Sequence, residues 1–138
     1  MKKYFEITAI SHESALFAVS TAIAEGAKVG VAVSVAIVDP NLTLVAFGKA
    51  DGATPHSVET SRKKAVTAAS TKKPTGWMDD KLATTLPMAS NNLLTNVPGG
   101  FPLVFDGKIV GGLGIAGGTV DQDAAIAEAT IKAIDSSA

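Results

Sequence analysis

The chain sets its rhythm most clearly in Val31-Ala32-Val33-Ser34-Val35-Ala36-Ile37-Val38, where large and small residues alternate with a period of two. Val31, Val33, Val35 and Ile37 face one side and Ala32, Ser34 and Ala36 the other, so the run predicts a central strand covered on both faces, with a helix packed close on the small side. Asp39-Pro40-Asn41 turns the chain into a second strand from Thr43 to Phe47. A third and a fourth strand flank Asp106-Gly107, because a two-residue type I′ turn needs φ > 0 at both central positions and Asp-Gly supplies it. That turn predicts Phe105 opposite Lys108, Leu103 opposite Val110 and Phe101 opposite Gly112. Residues 4–9 read as a further short strand.

Helical periods separate these strands. Ser11 is an N-cap for a helix to about Ala24, with Glu13 in its first turn and Leu16, Val19, Ile23 and Ala27 as the expected buried stripe. Gly26 and Gly30 mark its end. Thr54 as N-cap and Pro55 at the first helical position open a second helix to about Ser70, with Val58, Ala65 and Ala68 inward. Residues 74–98 are irregular with short helical pieces. Thr119-Val120-Asp121-Gln122 is a capping box opening a last helix, which buries Ala124, Ala127, Ile131 and Ile134. Hairpins interleaved with helices predict an α+β fold, one antiparallel sheet with helices against it.

The 138 residues suit one domain over 1–138. Hydrophobic residues make up 46%, a surplus that points to a subunit interface and hence a homo-oligomer. No apolar run reaches the roughly 18 residues of a membrane span. A net charge of −1 gives no electrostatic reason to bind nucleic acid or an anionic membrane. Arg62-Lys63-Lys64, the only basic cluster, reads as a solvated helix surface. The absence of cysteine excludes disulfides, thiolate catalysis and Cys-ligated metal sites. No signal-peptide pattern follows Met1-Lys2-Lys3, so a cytoplasmic location is expected.

Chemistry-bearing patterns are sparse. Gly112-Leu113-Gly114-Ile115-Ala116-Gly117 spells a dinucleotide fingerprint, yet the parallel strand that such a site requires has no place after the last helix. The glycines serve close packing or a pocket edge instead. His56, in a helix first turn beyond Asp51-Gly52, is the better candidate for a haem-iron ligand, and His12 is the second. Lys49, Asp51 and His56 together could also supply acid, base and carboxylate anchor.

Taken in order, Val38-Asp39, Leu44-Val45-Ala46-Phe47, Asp51-Gly52-Ala53, Lys64-Ala65-Val66-Thr67-Ala68, Pro98-Gly99-Gly100-Phe101-Pro102-Leu103, Val110–Gly117 and Gln122-Asp123 resemble the GlcG/HbpS-like family. This is the haem-degrading domain family, which includes the C-terminal domain of PduO-type proteins. The resemblance spans about residues 15–135. It implies a profilin-like fold with a five-stranded antiparallel sheet and helices on both faces, oligomers that are often octamers, and haem or another tetrapyrrole as ligand. The alternative function is a small cofactor-free enzyme, an isomerase or hydratase acting on a small organic acid. Either ligand carries a carboxylate, and the expected pocket is bordered by Asp51, Gly52, His56, Gly99, Gly100 and Gly117. Three positions depart from the family pattern: Lys49 for the usual Arg, Ala116 for a frequent Ser, and Leu42 for a turn glycine. The first two are expected to touch the pocket.

Overall fold

The computed structural model describes residues 1–137. Its strands are β1 (Ser34–Val38), β2 (Leu44–Lys49), β3 (Gly100–Phe105) and β4 (Lys108–Ala116). Its helices are α1 (His12–Lys28), α2 (Ser57–Thr71), α3 (Asp80–Ala89) and α4 (Val120–Asp135). The strands form one antiparallel sheet in the order β2-β1-β4-β3. α1 and α4 pack on one face and α2 on the other, so the α+β reading holds. The sheet has four strands among the described residues and not five. Residues 4–9 join no strand, and the nearest ladder-like bond runs from Ile10 N–H to the Val110 carbonyl at 2.9 Å.

All five residues of β1 are buried, and its two faces divide as the alternation demands. Val33, Val35 and Ile37 join Leu103, Leu113 and Ile115 under α1 and α4. Ala36 and Val38 meet Ala65, Val66 and Ala69 of α2. The small side is what lets α2 come close. Its glycine counterpart lies on the neighbouring strand: a Cβ on Gly112 would run into the Ala65 carbonyl, and one on Gly114 into the Ser61 carbonyl. The glycine-rich run therefore serves helix–sheet contact.

The Asp106-Gly107 turn has φ of 53° and 75°, the type I′ signature, and pairs Phe105 with Lys108. Beyond that the expected register fails. Leu103 opposes Gly111 and not Val110, and Phe101 opposes Leu113 and not Gly112, because the register shifts between Leu103 and Val104. The extra residue is Val110, a β-bulge whose carbonyl takes the bond from Ile10.

The helices correct several further expectations. Ser11 caps α1, accepting from Ser14 N–H, but the buried stripe is Ala15, Ala18, Val19, Ala22 and Gly26, while Leu16 is 47% exposed and Ala27 is exposed. The helix lies so near the sheet that a Cβ on Gly48 would meet Val19, so small residues are selected inward. Gly26 stands inside the helix and does not end it. α2 begins at Ser57, three residues past Thr54, because both the Ser57 N–H and its hydroxyl donate to the Thr54 carbonyl, at 3.0 and 2.6 Å. Val58 is only half-buried. The Ser57 hydroxyl also lies 2.7 Å from that of Ser34, pinning the helix start onto β1. In α4 the Thr119–Gln122 capping box is present in full. Asp123, Ile126, Ala127, Thr130 and Ile134 are buried there, with Ala124 and Ile131 half-covered.

Candidate functional site

Lys64 does not belong to a solvated surface. Arg62 points outward, but the Lys64 side chain is 1% exposed and runs between α2 and α4. Its Nζ donates to Asp123 Oδ2 at 2.9 Å and to the Ile115 carbonyl at 2.7 Å. Asp123 Oδ1 accepts from Gly118 N–H at 2.8 Å. Each charged atom therefore has a partner, which is the condition for burying an ion pair at all. Burial pushes the Lys64 pKa below its ordinary value, against the opposing pull of its hydrogen bond and charge pairing with Asp123.

Gly99 and Gly100 belong to the wall behind this pair. A Cβ on Gly99, whose φ is +121°, would lie 2.8 Å from the Ile115 carbonyl and 2.9 Å from Lys64 Nζ. A Cβ on Gly100 would collide with the Lys64 carbonyl. Gly100 is further held by Thr75, whose hydroxyl accepts its N–H at 2.9 Å. These two glycines shape the site from inside and do not offer bare backbone to a ligand.

In front of the pair lies a cavity of about 330 Å³, walled by the first turns of α2 and α4. His56, Ser57 and Thr60 come from α2, and Gly117, Gly118 and Val120 from the approach to α4. Ala116 and Val97 add apolar surface, with Lys64 and Asp123 at the back. Two helix N-termini thus converge on one space. The α2 N-terminus carries no side-chain cap, since His56 occupies the cap position without making that bond. The Ser57 N–H is taken by the Thr54 carbonyl, so the Val58 and Glu59 N–H groups are the first-turn donors left for an anionic group. A second cavity of about 520 Å³ adjoins, sharing Val97 and Val120, and runs under the α3 segment.

Of the residues expected at a pocket, His56 and Gly117 line this cavity, and Gly99 and Gly100 back it. Asp51 and Gly52 do not line it. They sit exposed in the turn after β2, and Lys49 is exposed at the end of that strand, opposite Ser34. The trio Lys49, Asp51 and His56 is therefore not assembled in this cavity. Of the two positions that depart from the family pattern and are expected at the pocket, Ala116 lines this cavity and Lys49 does not. His12 opens α1 on the opposite face of the sheet. Among the described residues no group of three or more His, Cys, Asp and Glu could hold a metal ion, and no helix is long and apolar enough to cross a membrane.

Lys64 and Asp123 were missed as a pair, though one signal was available. Ser57, Ser61, Lys64 and Ala68 recur at helical spacing on the face that Ala65 shares. A lysine on a stripe of small buried residues needs an acid, and Asp123 sits at the foot of the last helix.

The sequence matches the family described as haem-degrading protein HbpS-like over residues 10–132. The chain belongs to the HbpS-like family. Among curated relatives, the HbpS-like chain is 34% identical over 119 residues to the corrinoid adenosyltransferase PduO of Salmonella typhimurium. That match covers 83% of this chain but 35% of PduO. Among solved structures, the PduOC:heme complex superposes with a TM-score of 0.84 at 31% identity, covering 91% of this chain and 95% of the other. The Klebsiella pneumoniae protein ORFY superposes with a TM-score of 0.90 at 22% identity, covering 100% and 99%. The latter likeness supports the fold of this HbpS-like chain alone.

Proposed function

We propose that this HbpS-like chain, as one unit over residues 1–138, binds haem or a related tetrapyrrole in the groove between the first turns of α2 and α4. The observation that carries this reading is the pairing of an apolar wall with donors for acidic groups at one place. Val97, Val120 and Ala116 suit the face of a macrocycle, and the uncapped α2 N-terminus suits a propionate. The residues fit such a ligand in kind. The cavity in front of Lys64 lies at the small end of ligand sites, which run from about 300 to 1,000 Å³. The neighbouring cavity shares Val97 and Val120 with it, and the two side by side offer the length that a planar ring needs.

His56 is the residue of this groove able to ligate iron, since an imidazole nitrogen is an ordinary haem ligand. Lys64 and Asp123 hold Ile115, Gly118 and the two helices in place around the ligand. The relative solved as a haem complex supports the same ligand class. The apolar composition and the family favour a homo-oligomer, with eight copies as the expected assembly.

Titration with hemin tests the reading, with the Soret band as readout. A saturable, shifted Soret band is expected for the wild type, and a band altered in position or lost in His56→Ala. A wild type that gives only the spectrum of free hemin would refute the ligand. An unchanged spectrum in His56→Ala would refute the axial role of His56 alone.

A further inference from the structure

Residues 1–9 are exposed throughout, and they include Tyr4 at 74%, Phe5 at 77% and Ile7 at 48% exposure. Among the described residues, none of the nine forms a hydrogen bond to the rest of the chain, and the first anchor is Ile10, 7% exposed and bonded to Val110. Tyr, Phe, Ile and Thr are strand formers, and this run reads as a strand from sequence alone. Its own sheet gives it no partner.

The sheet has two outer edges, and they differ. On β3, Pro102 has no N–H to offer, and Gly100 is already bonded through both its N–H and its carbonyl to Thr75. On β2, no proline interrupts Leu44–Lys49, no backbone group bonds outward among the described residues, and Leu44 is 41% exposed. The arm leaves the body from β4 at the end of the sheet where both hairpins turn. Ile7 and Thr8 share a cavity of about 710 Å³ with Pro40, Asn41 and Leu42 of the β1–β2 turn and with Gly107, Lys108 and Ile109 of the β3–β4 hairpin.

We infer that residues 2–9 of one copy add as a strand to the β2 edge of a second copy, so that the missing fifth strand is supplied by exchange. This rests on the homo-oligomer reading and names the segment that builds it. A second copy is the occupant because the arm projects near the β1–β2 turn from which β2 starts, so a two-fold axis there lets each copy lay its arm on the other's β2 edge. The size is adequate. Tyr4 and Phe5 point to opposite faces of the added strand, so the four aromatic rings of two reciprocal arms remove at most about 600 to 1,000 Å² from water, at about 150–250 Å² each. Ile7 and the strand backbone add to this, toward the ~1,200 Å² of a stable specific interface.

The chain has no cysteine, so single introduced thiols report contacts cleanly. Mass by light scattering is to be compared for wild type, a variant lacking residues 2–9, and Tyr4→Ser/Phe5→Ser/Ile7→Ser, with circular dichroism as the check on folding. The expected result is a wild-type oligomer whose mass falls at least twofold in both folded variants. Mixed copies carrying Phe5→Cys and Leu44→Cys should cross-link, and those carrying Phe5→Cys and Val104→Cys should not. A wild-type monomer would overturn the oligomer reading and the exchange with it. A wild-type oligomer whose mass survives in a folded variant, or a cross-link formed to Val104→Cys on β3 instead, would overturn the exchange alone.

Discussion

Lys64 and Asp123 stand 59 positions apart, yet their side chains meet at 2.9 Å with 1% and 3% exposure, joining the two helices that wall the candidate site. Removing one partner leaves the other charge buried and unpaired. Lys64→Met is therefore expected to cost about 3–5 kcal/mol, and Lys64→Met/Asp123→Leu to recover part of that loss. Urea unfolding of both variants checks it. A single variant within about 1 kcal/mol of wild type would show that the pair contributes little.

The same lysine predicts a pH signature. Burial holds its folded pKa below the unfolded value of 10.5. Between those two values the unfolded chain binds more protons, so this group makes stability rise with pH across that window. Below the folded pKa its burial cost is fully present and constant. The difference in unfolding free energy between wild type and Lys64→Met should grow with pH across the window and flatten above 10.5. A difference that is constant or falls there would contradict the assignment.

Thr119→Ala removes the side chain that accepts from Gln122 N–H at the α4 start. A loss of about 1 kcal/mol is expected, the ordinary cost of an N-cap. Thermal unfolding measures it, and an unchanged midpoint would argue that the cap is redundant with the Asp123–Gly118 bond.

Gly100→Val is expected to disrupt folding rather than to block a ligand selectively, because its Cβ would enter the Lys64 backbone. Loss of soluble or cooperatively unfolding protein is the readout. A folded Gly100→Val would show that α2 can lift from β3.

Much of the fold could be read from the chain because it rests on local rules. The Val31–Val38 alternation, the Asp106-Gly107 turn and the Thr119–Gln122 box each act within a few residues. The errors came from long-range geometry. Ile10 reaches the Val110 carbonyl and the register shifts, and α1 turns its alanines inward because Gly48 lets it approach. The candidate cavity divides the same way. Turns and helix starts point to His56 and Gly117, which line it, whereas Lys64 reads as surface in the sequence because its partner comes from another helix. Asp51 was drawn in by sequence proximity to His56, which the chain does not convert into a shared cavity.

Asp51→Ala and Lys49→Ala should accordingly leave hemin affinity within about twofold of wild type, a difference of about 0.4 kcal/mol. Titration of the two variants decides it. A tenfold loss in either would place the ligand at the β2–α2 turn.

The placement of the ligand is tested most directly by filling the groove. Thr60 lines the cavity from α2, half-buried and not a member of the Lys64–Asp123 bonds, so Thr60→Trp adds bulk to the groove while leaving both partners of the pair in place. Hemin affinity, read from the Soret band beside an unchanged thermal midpoint, should fall at least tenfold, about 1.4 kcal/mol. A folded Thr60→Trp that binds hemin as tightly as the wild type would contradict the groove between α2 and α4 as the site.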